Sequence, residues 1–444
     1  MDAREVALLT LNACERQGGW SDGVLKKQIA AAGLDSRDAG LATQLCFGVI
    51  QNRILLDFYL SKFSNIPLKR LEGKVLQALR LGLYQMLFLT RIPHSAAVDQ
   101  SVALTRAHCK NPRAPGMVNA ILRNLERSLD RLPTIPEDDP AEYYATLYSH
   151  PVWLVRELLE TLGSEGTAAF LQADNSQPPI TAMVNTVKTD LEGALEALQA
   201  EGVHGEPHPW LKNCLVLSRS GSLEELEAFQ NGLFYVQDPA SRLAVLTLDP
   251  EPGDRVLDMC AAPGGKSFAA AIQMRDQGEI WSCDLHPHKK TLIQKGAQRL
   301  GLTCIRPQTA DGKVRRPEWE GAFDRVLVDA PCSGLGVIRK KPDIRFKDPE
   351  PLAGLPQVQS AILDNAAGYV KPGGVLVYST CTILERENRA VTDAFLAAHP
   401  EFRRESFLLP GPAGEVSGGQ ITLWPQVHGT DGFYICKLRK DGEA

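Results

Sequence analysis

The stretch RVLDMCAAPGGK, residues 255–266, decides the fold of the C-terminal part of this chain. Its first part, RVLDM (255–259), is a short apolar run of the kind that forms a buried strand. Gly264 and Gly265 follow, and they allow the backbone to turn tightly and to approach a ligand closely. The stretch therefore predicts a strand, a glycine turn and a helix whose first amides point at the turn.

The same alternation continues along the chain from about residue 234. Further strands are predicted at 278–285, 303–307, 323–331 and 374–381, with helices between them. Such a pattern predicts an open parallel sheet with helices on both faces. Two closing apolar runs, 421–424 and 432–438, lie too close for a helical crossover, so we expect an antiparallel hairpin. Five parallel strands and a terminal hairpin are the layout of Rossmann-like methyltransferases.

The N-terminal part belongs to a different structural class. Within residues 3–131, apolar side chains such as Leu76, Leu79 and Leu83 repeat at helical spacing, which predicts a bundle of six or seven helices. The segment LPTIPEDDP (132–140) combines three prolines with three acids and should be extended. A mixed pattern follows and predicts a small α+β domain. The predicted domains are residues 1–131, 141–233 and 234–444.

The charge of the chain is distributed unevenly. The formal net charge is −5, but residues 51–130 carry twelve Lys/Arg and five Asp/Glu, a net of +7, so the remainder carries −12. This asymmetry indicates a basic module on an acidic body and is compatible with nucleic-acid binding, but charge alone favours the alternative of solvated helix faces. Residues 76–89 form the most apolar stretch, which is too short and too polar to cross a membrane.

Carboxylates follow the predicted strands at the edge where such sheets bind ligands. Asp284 ends the second strand, about 20 residues after the glycine turn, where a carboxylate can accept from both hydroxyls of a ribose. Asp311 follows the third strand, in position for an adenine edge, and Asp329 ends the fourth. S-adenosylmethionine carries a ribose and an adenine but no phosphate. We therefore expect this cofactor at Asp284 and the 260–266 turn.

Two phosphate-binding motifs are excluded as explanations of the glycine turn. A P-loop, GxxxxGK[ST], matches at Gly265, Lys266 and Ser267 but would need a glycine where the chain has Cys260. The dinucleotide fingerprint GxGxxG is absent. The alternative is an ordinary glycine-rich turn between a strand and a helix that binds no ligand. The three acids at the strand ends argue against this alternative.

Two of the ten cysteines stand at the ends of predicted strands. Cys332 lies in DAPCSG (329–334) and Cys381 in YSTCT (378–382). A thiolate that adds to carbon 6 of cytosine makes carbon 5 nucleophilic, whereas methylation of an oxygen or an exocyclic nitrogen needs no thiol. The pattern does not tell which cysteine would attack. We interpret the seven cysteines away from these motifs and the glycine turn as small buried hydrophobic residues: Cys14, Cys46, Cys109, Cys214, Cys283, Cys304 and Cys436.

These motifs resemble those of the RNA cytosine-5 methyltransferase family related to Sun (Fmu). The resemblance covers most of residues 232–440, and the N-terminal part resembles the NusB fold. SHPVW (149–153) resembles the start of the family's small RNA-contacting, RRM-like subdomain. The motifs that carry the resemblance are GLFYVQDPAS (232–241), LDMCAAPGGK (257–266), VDAPCSGLGVIRKKPDI (328–344) and KPGGVLVYSTCT (371–382), with Glu385 and Asn388.

The resemblance implies roles for individual residues. Cys381 matches the nucleophile and Cys332 the cysteine that helps to release the product, while Asp329 also matches a position that could hydrogen-bond the cytosine ring. Thr382 stands where the family usually has serine, a change that keeps the hydroxyl. The positions that match the S-adenosylmethionine site are Cys260, Ala261, Ala262, Pro263, Gly264, Gly265, Lys266, Asp284, Asp311 and Asp329.

The activity implied is formation of 5-methylcytosine in 16S ribosomal RNA, free or partly assembled. The alternative is a non-catalytic ribosome-assembly or antitermination factor that binds RNA through its helical bundle, but a pure binder would not need Cys332 and Cys381. A DNA cytosine methyltransferase would be expected to carry a large target-recognition insert, which the sequence does not show. We expect a cytoplasmic monomer without a membrane segment. No cysteine pair has CxxC spacing, so we expect no metal either.

Overall fold

The computed structural model describes residues 1–17, 20–218 and 221–442. By compactness the chain forms two units, the first made of Met1–Ser176 with Lys340–Lys347 and the second of Gln177–Arg339 with Asp348–Ala444. The predicted boundaries of three consecutive domains stay a prediction, because the two compact units are not divided along the sequence in the same way. No helix of the described residues has the length and apolar composition that a membrane crossing requires.

The first unit is helical, and its first seven α-helices confirm the predicted bundle. The central helix, α5, is buried on all sides from residue 75 to residue 86, as a core helix should be. Arg80 lies within that stretch and donates two hydrogen bonds of 2.7 Å to Asp57, which offset the burial of its charge. The helices are α1 Ala3–Gln17, α2 Ser21–Ala32, α3 Ser36–Gln51, α4 Arg53–Phe63, α5 Gly73–Phe88, α6 His94–His108, α7 Ala114–Glu126, α8 Pro140–Leu147 and α9 Val152–Asp174.

The segment Lys340–Lys347 belongs to this first unit although it is distant in sequence. Its Arg345 is fully buried and donates to the backbone carbonyls of Gln51 and Ser149 at 2.6 and 2.9 Å. A further bond of 3.1 Å reaches the side-chain oxygen of Asn175. Burial lowers the pKa of Arg345 to about 10, so the guanidinium remains charged at neutral pH. One side chain therefore satisfies acceptors from three separate parts of the helical unit.

The second unit begins with a small antiparallel sheet in the order β2-β3-β1-β4. The buried Asn185, directly after β1, donates to the carbonyls of Gly232 and Leu300 at 2.9 and 2.8 Å, and so ties this sheet to the rest of the unit. Strand β4, which starts at residue 234, pairs with β1 and so belongs to this small sheet. The elements are β1 Ile180–Val184, α10 Leu191–Ala200, β2 His204–Pro207, β3 Cys214–Ser218, α11 Glu227–Gln230 and β4 Phe234–Val236.

The larger sheet has eight strands. It follows the order β10-β14-β9-β8-β5-β6-β7, with β13 paired to β14. Its strands are β5 Arg255–Asp258, β6 Glu279–Asp284, β7 Ile305–Thr309, β8 Phe323–Asp329, β9 Val370–Thr380, β10 Phe402–Arg404, β13 Gln420–Leu423 and β14 Phe433–Lys440, and a separate pair is β11 Phe407–Leu408 with β12 Glu415–Val416. Its helices are α12 Pro239–Leu248, α13 Gly265–Gln273, α14 Pro287–Leu300, α15 Pro349–Leu352, α16 Leu355–Tyr369, α17 Arg389–Ala398 and α18 Pro425–His428.

The pairing within this sheet agrees with the predicted architecture. Strands β5 to β9 are parallel, and β13 and β14 form the predicted antiparallel hairpin. On β8, Val326 and Val328 belong to one apolar layer while Leu327 belongs to the other. A strand buried on both faces is typical of a parallel sheet covered by helices on each side. This arrangement leaves the strand ends as the places where polar side chains can gather.

We predict that Arg345→Met destabilises the helical unit by roughly 2–5 kcal/mol, because three acceptors around a fully buried guanidinium lose their donor. Urea unfolding followed by far-ultraviolet circular dichroism measures the change. Arg16→Met, which removes an exposed arginine of α1, is the matched control and should alter stability by less than about 0.5 kcal/mol. Equal unfolding midpoints for the two variants would contradict the anchoring role of Arg345.

Candidate active site

The carboxyl ends of the five parallel strands bring the predicted site residues to one edge of the sheet. Asp258 ends β5, Asp284 ends β6 and Asp329 ends β8. Asp311 follows β7, and Cys381 is the first residue after β9. Ligands of open parallel sheets bind at this edge.

The glycine turn joins β5 to α13. Gly264 has φ of 114°, a conformation that residues with a side chain rarely adopt, and a Cβ there would lie 2.4 Å from the ring of Phe268. The N–H of Ala261 donates to the carbonyl of Cys283 on β6 at 2.7 Å, which holds the turn against the neighbouring strand. Burial is the main cause that raises the pKa of the Cys260 thiol well above its usual value. Cys260 therefore stays protonated.

Asp258 is buried beneath the turn. One carboxylate oxygen accepts from the Ser267 hydroxyl at 2.7 Å, and Ser267 accepts from the Ser282 hydroxyl at 2.7 Å. The other oxygen has no hydrogen-bond partner among the described residues. Burial raises the pKa of Asp258 to about 7. A buried acceptor without a partner fits a site that receives the donor of a ligand.

Asp284 and Asp311 supply acceptors further along the same edge. Asp284 accepts from the N–H of His286 at 3.1 Å, and its second oxygen lies 3.7 Å from the Lys289 ammonium. Asp311 accepts from the N–H of Lys313 at 3.0 Å. Both carboxylates keep acceptor capacity beyond these bonds. Carboxylates beside a glycine turn, rather than a cluster of phosphate-binding amides and cations, fit the ribose and adenine of S-adenosylmethionine.

Lys266 and Asp329 form an ion pair at the centre of the site. The Lys266 ammonium lies 2.6 Å from one oxygen of Asp329, and the other oxygen accepts from the Ser379 hydroxyl at 2.8 Å. Burial acts to lower the pKa of Lys266, but the negative charge of Asp329 outweighs it and the pKa is raised. Lys266 is therefore a fixed positive charge, and its field also reaches Cys381.

The two cysteines at the strand ends are neighbours. The sulfur atoms of Cys332 and Cys381 are 3.3 Å apart, and both residues are half-buried. The hydrogen bond from Cys332 lowers the pKa of Cys381 below its usual value, burial opposes the change, and the charge of Lys266 adds to it. The same bond and then burial raise the pKa of Cys332 well above the usual value. Cys381 is thus the thiol that ionises first.

A buried polar network holds the turn that carries Cys332. One carboxylate oxygen of Glu387 accepts from the N–H of Ser333 and from the side-chain amide of Gln359, both at 2.9 Å. The Ser333 hydroxyl shares a hydrogen bond of 2.7 Å with Thr382. Sequence reasoning missed Glu387 and Gln359, since neither lies in a turn or at a strand end. The only signal was an acid that follows the cysteine motif.

Sequence reasoning also missed a salt-bridge cluster of three buried side chains beside the cysteines. Arg339 donates to Asp431 at 2.8 Å and lies 3.5 Å from Asp238. The N–H of Asp431 donates to Asp238 at 3.1 Å. The charge of Asp431 acts against ionisation of Cys381, so its pairing with Arg339 limits that effect. Each of the three residues lies in a separate part of the sequence.

The fold and the site together define a Rossmann-like methyltransferase with a helical N-terminal part. The model for the family described as 16S rRNA methyltransferase RsmB/F matches residues 245–439. The NusB family matches residues 1–127, and the ferredoxin-like domain of RsmF/B-like methyltransferases matches residues 150–224. The chain belongs to the RsmB/F family of methyltransferases, which confirms the family resemblance seen in its motifs. The predicted folds of the three parts are confirmed as well: a helical NusB-like bundle, a small α+β subdomain and a Rossmann-like methyltransferase domain.

Relatives extend this likeness over the whole chain. A "probable ribosomal RNA small subunit methyltransferase B" of Bacillus subtilis is 40% identical and covers 99% of each chain. The ribosomal RNA small subunit methyltransferase B of Klebsiella pneumoniae is 34% identical over 92% of this chain and 91% of its own. Among solved structures, that of PH0851 superposes with a TM-score of 0.81 at 26% identity and covers 99% of both chains.

We predict that iodoacetamide labels Cys381 at least tenfold faster than Cys332 at about pH 7.5, because the thiolate is the reactive form. The rate at Cys381 should rise with pH through a pKa below 9.0. In Cys332→Ala that rise should move to higher pH, since the donor is lost. Peptide mass spectrometry measures each site.

The half-buried Cys109 serves as the matched control. Burial raises its pKa to about 11, so it should label slowly at this pH. Equal labelling of Cys332 and Cys381 would contradict the assignment of the thiolate to Cys381.

Proposed function

We propose that this chain uses S-adenosylmethionine to form 5-methylcytosine in 16S ribosomal RNA. The observation that carries the proposal is the pair of thiols at Cys332 and Cys381, 3.3 Å apart at the ligand edge of a methyltransferase fold. Transfer to an oxygen or an amino nitrogen needs no thiol, whereas activation of pyrimidine carbon 5 does. The names of the relatives, which specify small-subunit ribosomal RNA, support the substrate.

In the proposed reaction Cys381 is the nucleophile. Its thiolate adds to carbon 6 of the cytosine and forms a sulfur–carbon bond, and the electron pair of the 5,6 double bond makes carbon 5 nucleophilic. S-adenosylmethionine supplies an electrophilic methyl group, which carbon 5 accepts. The proton on carbon 5 is then removed, the double bond forms again, and the bond from carbon 6 to Cys381 breaks. The lowered pKa of Cys381 supports this role.

Cys332 is proposed to assist release of the product. Its hydrogen bond to Cys381 is the first cause of its raised pKa. Once the Cys381 sulfur is bonded to carbon 6 it is no longer an anion, so that cause is removed and the Cys332 pKa falls. Cys332 can then lose its proton to water and accept the proton from carbon 5. The two thiols would thus act in sequence.

Lys266 and Asp329 are proposed to hold the cytosine in place for attack. The Asp329 carboxylate, fixed between Lys266 and Ser379, would accept a hydrogen bond from the 4-amino group of the cytosine. Lys266 pairs with Asp329 at 2.6 Å and favours the thiolate of Cys381. Lys266, Asp329 and Cys381 each come from a different strand end or turn, so the sheet itself would orient the substrate.

The helical unit is proposed to bind the RNA. Residues 51–130 carry its positive charge, although Arg80 and Arg123 are engaged in ion pairs with acids. A non-catalytic RNA-binding factor would use the same unit but would need neither the thiol pair nor the carboxylates of the second unit. We propose a monomer that acts on free or partly assembled small-subunit RNA, without a metal.

We predict that Asp284→Ala weakens binding of S-adenosylmethionine by about 1–3 kcal/mol, because the ribose loses its acceptor. Titration calorimetry of the full chain measures this without any turnover. The matched control is Glu279→Ala, at the opposite end of the same strand, which should leave the affinity unchanged. Unchanged affinity in Asp284→Ala would remove this residue from the cofactor site.

The thiol roles predict different products on a denaturing gel. Cys381→Ala should abolish methylation and also trapping by RNA that contains 5-fluorocytosine, because no adduct can form. Cys332→Ala should accumulate a covalent protein–RNA species with ordinary RNA, since attack proceeds and release is slow. Cys109→Ala, in the helical unit, is the control and should behave as the wild type. A stable adduct in Cys381→Ala alone would reverse the roles, and no effect of either cysteine would refute covalent catalysis.

A further inference from the structure

A second cleft of the second unit lies between the small sheet and helices α12 and α13. Its volume is about 500 Å³, within the range of about 300–1,000 Å³ that is typical of ligand pockets. Trp210 and Tyr235 line one part of it, and Leu246 and Ile272 contribute an apolar surface. The residues of the candidate active site do not line it.

The charge of this cleft is of one sign. Lys212, Arg242 and Arg275 line it, and no aspartate or glutamate does so in the part of the chain that the structure describes. Arg242 donates to the carbonyl of Ala269 at 3.2 Å and to the side chain of Gln273 at 3.0 Å. Lys212 and Arg275 are exposed, and among the described residues neither side chain has an acid as an ion-pair partner. The cleft therefore favours an anion.

The backbone fixes two of the lining positions in unusual conformations. Arg275 has φ of 55°, and Asn213, which follows Lys212, has the same φ. Arginine adopts this region at an energetic cost. The next residue, Asp276, accepts from the N–H groups of Thr303 and Cys304 at 2.8 and 2.9 Å, which holds the turn in place. Strain of this kind clusters at functional sites.

The aromatic side of the cleft is also rigid. The ring of Trp210 packs edge-on against His208, with centroids 4.5 Å apart. A Cβ at Gly411 would lie 2.4 Å from the Trp210 ring, so the backbone passes close behind it. The Tyr235 ring is buried and packs edge-on against Phe268. Fixed aromatic rings beside unpaired cations are the elements that bind unpaired nucleotides.

We propose that this cleft binds one unpaired nucleotide of the RNA substrate, with the base against Trp210 and the adjoining phosphates at Lys212 and Arg275. This proposal rests on the proposed function, since it takes RNA as the substrate. Helix α12 connects the two sites: Ser241 lies 3.4 Å from the Lys266 ammonium, and the next residue, Arg242, lines the cleft. A single strand that presents a cytosine to Cys381 would thus pass the cleft.

The role of the Lys212 and Arg275 charges is tested by RNA binding to the full chain without cofactor. The probe is a fluorescein-labelled single-stranded RNA of twelve nucleotides. Fluorescence anisotropy should show at least fivefold weaker binding for Lys212→Glu and for Arg275→Glu. Each variant should reduce the slope of log affinity against log salt by about 0.7, the effect of one phosphate contact. Lys295→Glu, an exposed lysine of α14 outside the cleft, is the matched control. If all three variants bind alike, the proposal is wrong.

The aromatic contact has its own test. Trp210→Ala should weaken binding roughly tenfold, and Trp210→Phe should restore most of it, because stacking needs a ring but not an indole. With 4-thiouridine in the probe, crosslinks should map to the peptides that carry Trp210 or Tyr235. If Trp210→Ala weakens binding of a twelve-base-pair RNA duplex equally, the cleft does not select an unpaired base and the proposal is wrong. If polyglutamate at low concentration displaces the probe, the cleft binds an acidic protein partner instead of RNA.

The outcome separates this proposal from the proposed function. Lost binding in the cleft variants, together with methylation that persists in Cys381→Ala, would support the cleft and refute the covalent mechanism. Normal binding in the cleft variants, together with lost methylation in Cys381→Ala, would refute the cleft alone. Absence of single-stranded RNA binding by the wild type would refute the cleft, whereas the proposed function is decided by methylation and by the adduct on the gel.

Discussion

The parallel pairing of β8 with β9 sets Asp329 opposite Ser379, and the chemistry of the site depends on that register. Beyond this pair each strand leaves the sheet, and the turns that follow bring the sulfur atoms of Cys332 and Cys381 to 3.3 Å. Lys266 reaches Asp329 from the first turn of α13. A slip of one residue between the strands would move every side chain of one strand to the opposite face. The thiol pair and the ion pair would then be lost together.

The site contains buried charges, and each has an identifiable compensation. Lys266 forms an ion pair of 2.6 Å with Asp329, whereas burial raises the pKa of Asp258 to about 7. Arg339 is balanced by two aspartates, one of which lies near Cys381. A buried charge without such a partner would cost several kcal/mol. The edge of the sheet therefore holds several acids in one small volume, each with its own compensation.

Sequence reasoning identified what is local and periodic. The five parallel strands, the closing hairpin and the cysteines at strand ends could be predicted, because the apolar runs and the turn residues lie next to each other in the chain. The placement of Glu387 and Arg345 could not be predicted in this way. Their partners are distant in sequence, and nothing near either residue indicates that it is buried.

The charge composition of a segment also differs from the charge that the folded segment offers to a ligand. The count of twelve cations in residues 51–130 overstates how many of them are free to bind a ligand, since Arg80 and Arg123 are engaged by acids and Arg53 stacks on Phe346 at 3.4 Å. Conversely, the one-signed cleft of the second unit lies in the acidic remainder of the chain. Net charge counts residues, whereas binding depends on which side chains remain unpaired after folding.

Three cysteines stand at the ligand edge, and their comparison shows why position alone does not make a nucleophile. Burial raises the pKa of Cys260, and the charges of Asp258, Asp329 and Asp284 raise it further. Cys381 is also shielded from water, but it receives a hydrogen bond from Cys332 and the field of Lys266. Two thiols in contact do not ionise together, because the second negative charge would be repelled by the first. The proton that Cys332 retains therefore favours a thiolate at Cys381, and the proposed mechanism uses the pair rather than either residue alone.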